Sequence, residues 1–256
     1  MRRLRHLVGQ HRTASTNRLL GGLLAFNAGA INAGGFLLVS LYTSHMTGFA
    51  SMLADNLVLG NTRLVLGALG ALLAFTAGAA FTAIMVNWAR QHWLRSEYAL
   101  PLLVEAVLLL VFGLMGATLN RQTPFAVPLT VLVLAFIMGL QNALVSKISS
   151  SQIRTTHMTG VITDLGIELG KLFYWNRTTS PPASRVRANR IKLRLYGTLL
   201  AMFVAGGLVG ALGFKYVGFV WVVPLALVLL GLSLPPLFAD WRRIARRKAK
   251  PVHPSH

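Results

Sequence analysis

The 256-residue chain contains no cysteine. That excludes a disulfide framework and any thiolate-ligated metal centre, and it identifies no compartment. Acidic residues are also scarce: six Asp and Glu stand against 25 Lys and Arg, a formal net charge of +19. Charged residues make up only 12% of the chain, whereas 54% is hydrophobic and the mean hydropathy is +0.60. This is too little polar surface for an ordinary soluble domain, and it places the chain in lipid. A phosphate-binding glycine loop, an H-E-x-x-H helix and a G-x-S-x-G elbow are missing as well. With no nucleophile and base and no metal-ligand set legible, the expectation is a protein that is not an enzyme and carries no cofactor and no metal.

What is present is apolar sequence in long runs. Six segments, roughly 19–41, 64–87, 99–118, 126–146, 195–216 and 219–238, approach or exceed the ~20 residues that carry a helix across the hydrocarbon core. The basic opening MRRLRH before NAGAINAG invites a signal-peptide reading, but the apolar run continues through GGFLLVSL and outgrows a typical h-region. With the N-terminus cytoplasmic, 22 Lys and Arg fall inside and only Arg63, Arg121 and Lys215 outside. This is the positive-inside bias, and it predicts an N-in, C-in topology. The charge therefore reads as contact with anionic lipid headgroups, above all through the tail WRRIARRKAK, rather than with nucleic acid. Glycines clustered in GALGALLAFTAG and AGGLVGALG suit close packing of membrane helices.

Two short stretches are near copies: TSHMTG at 43–48 and TTHMTG at 155–160. Each follows an apolar span and opens a further helical segment of about 14 residues, too short at about 21 Å to span comfortably. Each half of the chain thus reads as helix, motif, short helix, helix, helix. Three spans per unit is an odd number, so the second unit enters from the opposite side. The expected fold is an all-α membrane protein with six transmembrane helices in two inverted three-helix repeats, each with a short re-entrant helix opened by HMTG. The boundaries are 1–18 for a basic N-terminus, 19–118 and 126–238 for the repeats, with a basic loop at 174–194, and 239–256 for a basic tail. Equivalent positions pair Leu53 with Leu165, Leu57 with Leu169 and Asn56 with Glu168; the Asn-Ala pair at Asn32 recurs at Asn142 with its register shifted. A rival topology lets both short segments cross, giving eight spans; segment length and polarity favour the re-entrant one.

The candidate site residues follow from this plan. Thr47 and Thr159 are placed to cap the short helices, and Gly48 and Gly160 permit close backbone approach. A helix N-terminus inside a membrane is also a patch of partial positive charge suited to an anionic group. Two such ends entering from opposite faces would meet near the midplane, with Asn32, Gln141 and Asn142 as further polar contacts. His45 and His157, Asp55, Asp164 and Glu168 are the candidates for holding a proton or cation. Glu168 also has a simpler partner in Lys171, and Glu105, near the start of its span, reads as an interfacial residue.

The stretches GAINAGGFLLVSLYTSHMTG, MGLQNALVSKISSSQIRTTHMTG and TDLGIELG resemble the YoaK-like bacterial membrane proteins, a family defined by a domain of unknown function. The resemblance covers about 19–238 and implies a six-span protein of the bacterial inner membrane, without implying an activity. Many members look to have Asp where Asn32 stands and Asn where this chain has Phe49. The expected function is that of a small-solute transporter or channel, with an anionic solute one option. The alternative is a membrane scaffold or signalling subunit, for which the basic loop and tail speak. The partners expected are lipid headgroups and an unidentified solute, with a homo-oligomer left open.

Overall fold

The computed structural model describes residues 14–92, 94–118, 126–149, 155–176 and 185–248. Residues 1–13 of the basic N-terminus, 177–184 of the basic loop and 249–256 of the tail lie outside the described residues. The regular structure described is helical: α1 (Ala14–Val39), α2 (Met46–Val58), α3 (Thr62–Gln91), α4 (Ala99–Thr118), α5 (Ala126–Ile148), α6 (Met158–Phe173), α7 (Arg190–Tyr216), a 3-10 turn (Gly218–Trp221) and α8 (Val222–Lys248). Among the described residues six helices are long and apolar enough to cross a membrane, and α2 and α6 are not. The last helix extends well past the apolar run, because Asp240 accepts bonds from the backbone and hydroxyl of Ser96 and anchors its basic extension against the start of α4.

Local sequence explains where the elements stop. The Asn61 side chain accepts the Leu64 N–H at the head of α3, and Asn189 accepts the N–H groups of Ile191 and Lys192 at the head of α7. Gly60 and Gly218 turn the chain at φ +68° and +76°, in the left-handed region that favours glycine. Ser40 adopts φ +55° after α1, and its N–H closes on the Phe36 carbonyl at 2.8 Å.

Four spans are held in pairs by one repeated device. Each carries Phe-x-x-Gly: Phe26 and Gly29 on α1, Phe75 and Gly78 on α3, Phe136 and Gly139 on α5, Phe203 and Gly206 on α7. A Cβ on Gly29 would collide with the Phe203 carbonyl, and one on Gly206 with that of Phe26, so α1 and α7 cross in backbone contact. Gly78 meets the Phe136 carbonyl and Gly139 that of Phe75, which joins α3 to α5 in the same way. Thr82 on α3 donates to the Leu140 carbonyl at 3.0 Å, where the α1–α7 crossing has Gly210 against Ala30.

Contact order along these pairs sets the helix directions. Gly22 faces Thr198 and Met202 while Gly34 faces Phe214, so α1 and α7 are parallel. Gly70 faces Leu132 and Thr82 bonds Leu140, so α3 and α5 are parallel as well. By contrast α4 runs against α8, with Ser96 on Asp240 and Gly116 on Phe219, and against α5, with Tyr98 near Lys147 and Glu105 on Gln141. Phe112 and Phe214, with ring centroids 6.4 Å apart, bring the ends of α4 and α7 together. Helices α1, α4 and α7 therefore point one way and α3, α5 and α8 the other. Burial repeats in the two halves of the chain: α1 and α5 are the most buried spans, α3 and α7 the least, and α4 and α8 lie between. Consequently α1 and α5 form the centre, α3 and α7 the flanks. Exposed Leu66, Leu73, Ile84, Leu114, Val204 and Leu208 face outward, as a lipid-facing surface requires.

The ends of the bundle differ in charge. Arg90 with Glu97, the Lys147 end of α5, the Arg190 start of α7 and the Arg242 turn of α8 share one end, where Arg90 also donates to the Tyr98 hydroxyl at 2.9 Å. Arg63 and Lys215 mark the other end; Arg121 lies outside the described residues.

Candidate functional site

Both copies of the motif cap a short helix, but not through threonine. The helices begin at Met46 and Met158, and the cap positions are His45 and His157, neither with a side-chain cap bond. Thr47 and Thr159 therefore lie within the first turn, which corrects their reading as N-caps. The glycine has a local reason: the His45 ring lies over Gly48 and the His157 ring over Gly160, in the space a Cβ would need. His45, Thr47, His157 and Thr159 are exposed, and Gly48 and Gly160 are half-buried.

Of the polar residues just before each motif, Thr43 and Thr155 are buried and Ser44 and Thr156 half-buried, and Ser44 and Thr155 reach back to the preceding span. In the first unit the chain folds back after α1, so that Ser44 donates its hydroxyl (3.0 Å) and its N–H (3.4 Å) to Asn32 Oδ1. In the second unit Gln141 takes the central role. Thr155 donates to Gln141 Oε1 at 3.5 Å, and Gln141 Nε2 donates to Glu105 Oε1 at 2.8 Å. Thr155, Gln141 and Glu105 are each 0% exposed. Glu105 is therefore buried in the core of the bundle, six residues or about 9 Å past the start of α4. The signal that points to it in the sequence is a lone acid in LLVEAVLLLVF, with no basic residue nearby to pair with it.

In this chain and at the residues next to it in sequence, three buried polar atoms have no protein partner, Glu105 Oε2, Asn142 Oδ1 and Thr156 Oγ1; Thr43 Oγ1, both amide atoms of Asn27 and Trp221 Nε1 are likewise unpartnered among the described residues. Asn142 and Thr156 are the second-unit counterparts of Asn32 and Ser44, so the same pair is bonded in one unit and unbonded in the other. An unsatisfied buried polar atom costs about 1–3 kcal/mol, and several together mark a place where water or a guest completes the site.

The remaining acids are placed elsewhere. Asp55 and Asp164 are exposed. Glu168 is 4% exposed, accepts the Asn189 N–H at 2.6 Å and pairs with Lys171 at 2.9 Å, which ties α6 to the head of α7. The Asn189 N–H first, and then Lys171, hold its carboxyl below the ordinary value. Glu97 pairs with Arg90 and Asp240 with Ser96 at the basic end. Asn56, opposite Glu168 in the repeat, is also buried, and its side-chain amide donates to the Met52 carbonyl of its own helix.

A bundle of six apolar spans with a buried carboxylate and amides at its centre defines the class: a polytopic helical membrane protein with a polar core. The family described as "Protein of unknown function (DUF1275)" matches residues 20–234, and the chain belongs to it. Among curated proteins the chain is similar to the UPF0700 transmembrane protein YoaK of Bacillus subtilis (strain 168), at 29% identity over 164 residues, covering 63% of this chain and 71% of that protein. No solved structure matches. The family and relative accord with the sequence resemblance, and their names carry no activity.

Proposed function

We propose that the chain is a small-solute secondary transporter or channel of the bacterial cytoplasmic membrane, built as two inverted three-span repeats with a re-entrant α2 and α6. The observation that carries this reading is the Glu105–Gln141–Thr155 chain, fully buried between spans yet incompletely satisfied. A charged or amide group is expensive inside a membrane, and its ordinary use there is to line a solute or ion path. The opposed directions of corresponding helices support the inverted repeat, as do the matching crossings of α1 on α7 and α5 on α3. Re-entry is supported by Ser44, which folds back to Asn32 rather than continuing past the end of α1, and by the packing of α2 on α3 and α6 on α7. The basic end lies in the cytoplasm, against anionic headgroups.

The test compares metabolites in cells lacking the protein with cells overproducing it or its Glu105→Gln form. Solutes that respond to the native protein but not to the variant are then assayed for uptake into proteoliposomes. The expected outcome is protein-dependent flux, with more than a tenfold loss in Glu105→Gln, about 1.4 kcal/mol or more in the rate-limiting barrier. An absence of flux together with co-purification of a stoichiometric partner would establish the scaffold role instead.

A further inference from the structure

Glu105 has a feature that bears on what drives the transport proposed above, and the inference rests on that reading. Neither protonation state of its carboxyl is completed by the protein. In the ionised form no cation balances it: the two salt bridges among the described residues join Arg90 to Glu97 and Lys171 to Glu168. In the neutral form Oε2 would carry a hydroxyl proton, and no acceptor stands beside it. The titratable and charged groups on the elements packed against α4 all lie toward helix ends. Among the described side chains they are Arg63 and Arg90 of α3, Lys147 of α5, and Asp240, Arg242 and Arg243 of α8; the 3-10 turn carries none. Glu97 and Tyr98 precede α4 itself and are engaged with Arg90.

The carboxyl nonetheless has a polar route outward. Gln141 joins it to Thr155, and the next residues along, Thr156 and His157, lead to the exposed head of α6. Unpartnered Thr156 Oγ1 and Asn142 Oδ1 flank that route, where they suit water molecules.

We propose that Glu105 is the proton site of this protein, binding one proton at Oε2 and releasing it in each cycle to water that enters past the Gln141–Thr155 segment from the head of α6, while the Gln141 amide holds Oε1 and relays no proton itself. The step is a simple exchange: the O–H bond at Oε2 breaks, the proton passes to water, and the carboxylate left behind is offset by water or by a cationic group of the solute. This assigns the second HMTG copy the mouth of a proton path.

Infrared difference spectroscopy of the purified full-length protein in proteoliposomes reads this directly. The expected result is a protonated-carboxyl carbonyl band that is present in acidic buffer, lost in alkaline buffer and missing from Glu105→Gln. Gln141→Leu, which removes the donor to Oε1, should shift the band's frequency and change its titration. A band that stays constant over the whole pH range would make Glu105 a structural acid and overturn the proposal. So would a titrating band that survives in Glu105→Gln. Should Glu105→Gln fail to fold, an unshifted, normally titrating band in Gln141→Leu would overturn it equally. The two readings fail separately: flux that is lost in Glu105→Gln but ignores an imposed pH gradient sinks the proton site alone, whereas a titrating band without solute flux sinks transport alone.

Discussion

At the scale of single residues, the chain uses its few acids sparingly and for different ends. Glu97, Asp240 and Glu168 pin helix ends together, Asp55 and Asp164 are exposed, and Glu105 is held without a counter-charge. Glu168 makes a prediction about pH. Its carboxyl is held below the ordinary value by the Asn189 N–H and by Lys171, so the folded state favours the ionised form. The stability this contributes is fully present above the carboxyl's unfolded pKa and is lost as pH falls through the lower, folded one. The protection of α6 and of the head of α7 against hydrogen exchange, taken relative to the intrinsic rate at each pH, should therefore fall as the buffer is acidified through that window. Glu168→Gln should exchange fast at neutral pH and lose the dependence; an unchanged acid response in the variant would place its origin elsewhere.

At the scale of elements, the four Phe-x-x-Gly segments decide how closely the spans approach. In lipid there is no hydrophobic force pressing helix on helix, so contact depends on small residues that let backbones meet. Gly206→Leu or Gly78→Leu should therefore cost at least the 1–3 kcal/mol typical of overpacking, roughly, because the obstacle in each case is a backbone carbonyl rather than a movable side chain. Gly197→Leu, on the same helix as Gly206 but with open space around it, is the matched control. Thermal unfolding in detergent should show a large loss for the first two and little change for the third. Equal losses would deny the crossings their role. The motif HMTG, conspicuous in the sequence, has a more modest local geometry: a histidine cap folded over a glycine.

At the scale of the whole molecule, opposed helix directions and the collection of charge at one end make a topology that is testable without ambiguity, since the chain has no native cysteine. Single cysteines at Asn61 and at Arg185 should react with membrane-impermeant reagents from opposite sides, the first from outside and the second from the cytoplasm. Labelling of both from one side would favour the eight-span arrangement and remove the inverted repeat. The paired variant Thr47→Cys/Thr159→Cys addresses the midplane site. Short cross-linkers should join the two if both helix starts reach the same depth close together, and their failure in folded protein would leave the buried Glu105 chain as the centre by itself.

Apolar length, charge asymmetry and the repeated motif were enough to read the membrane class and the six long helices from sequence, because each depends on local composition and span length. The family resemblance was legible for the same reason, in stretches such as MGLQNA and HMTG. The packing partners were not. That α1 lies on α7 and α3 on α5 depends on which Phe-x-x-Gly faces which, and four near-identical segments carry no label for their mates. The polar centre was only half legible. Asn32, Gln141 and Asn142 stand out as amides in apolar runs, but the partners Ser44, Thr155 and Glu105 come from other parts of the chain. Glu105 in particular sits near the start of its span, where sequence distance from the helix end suggests water; tertiary packing instead surrounds that turn of α4 with protein and buries the acid.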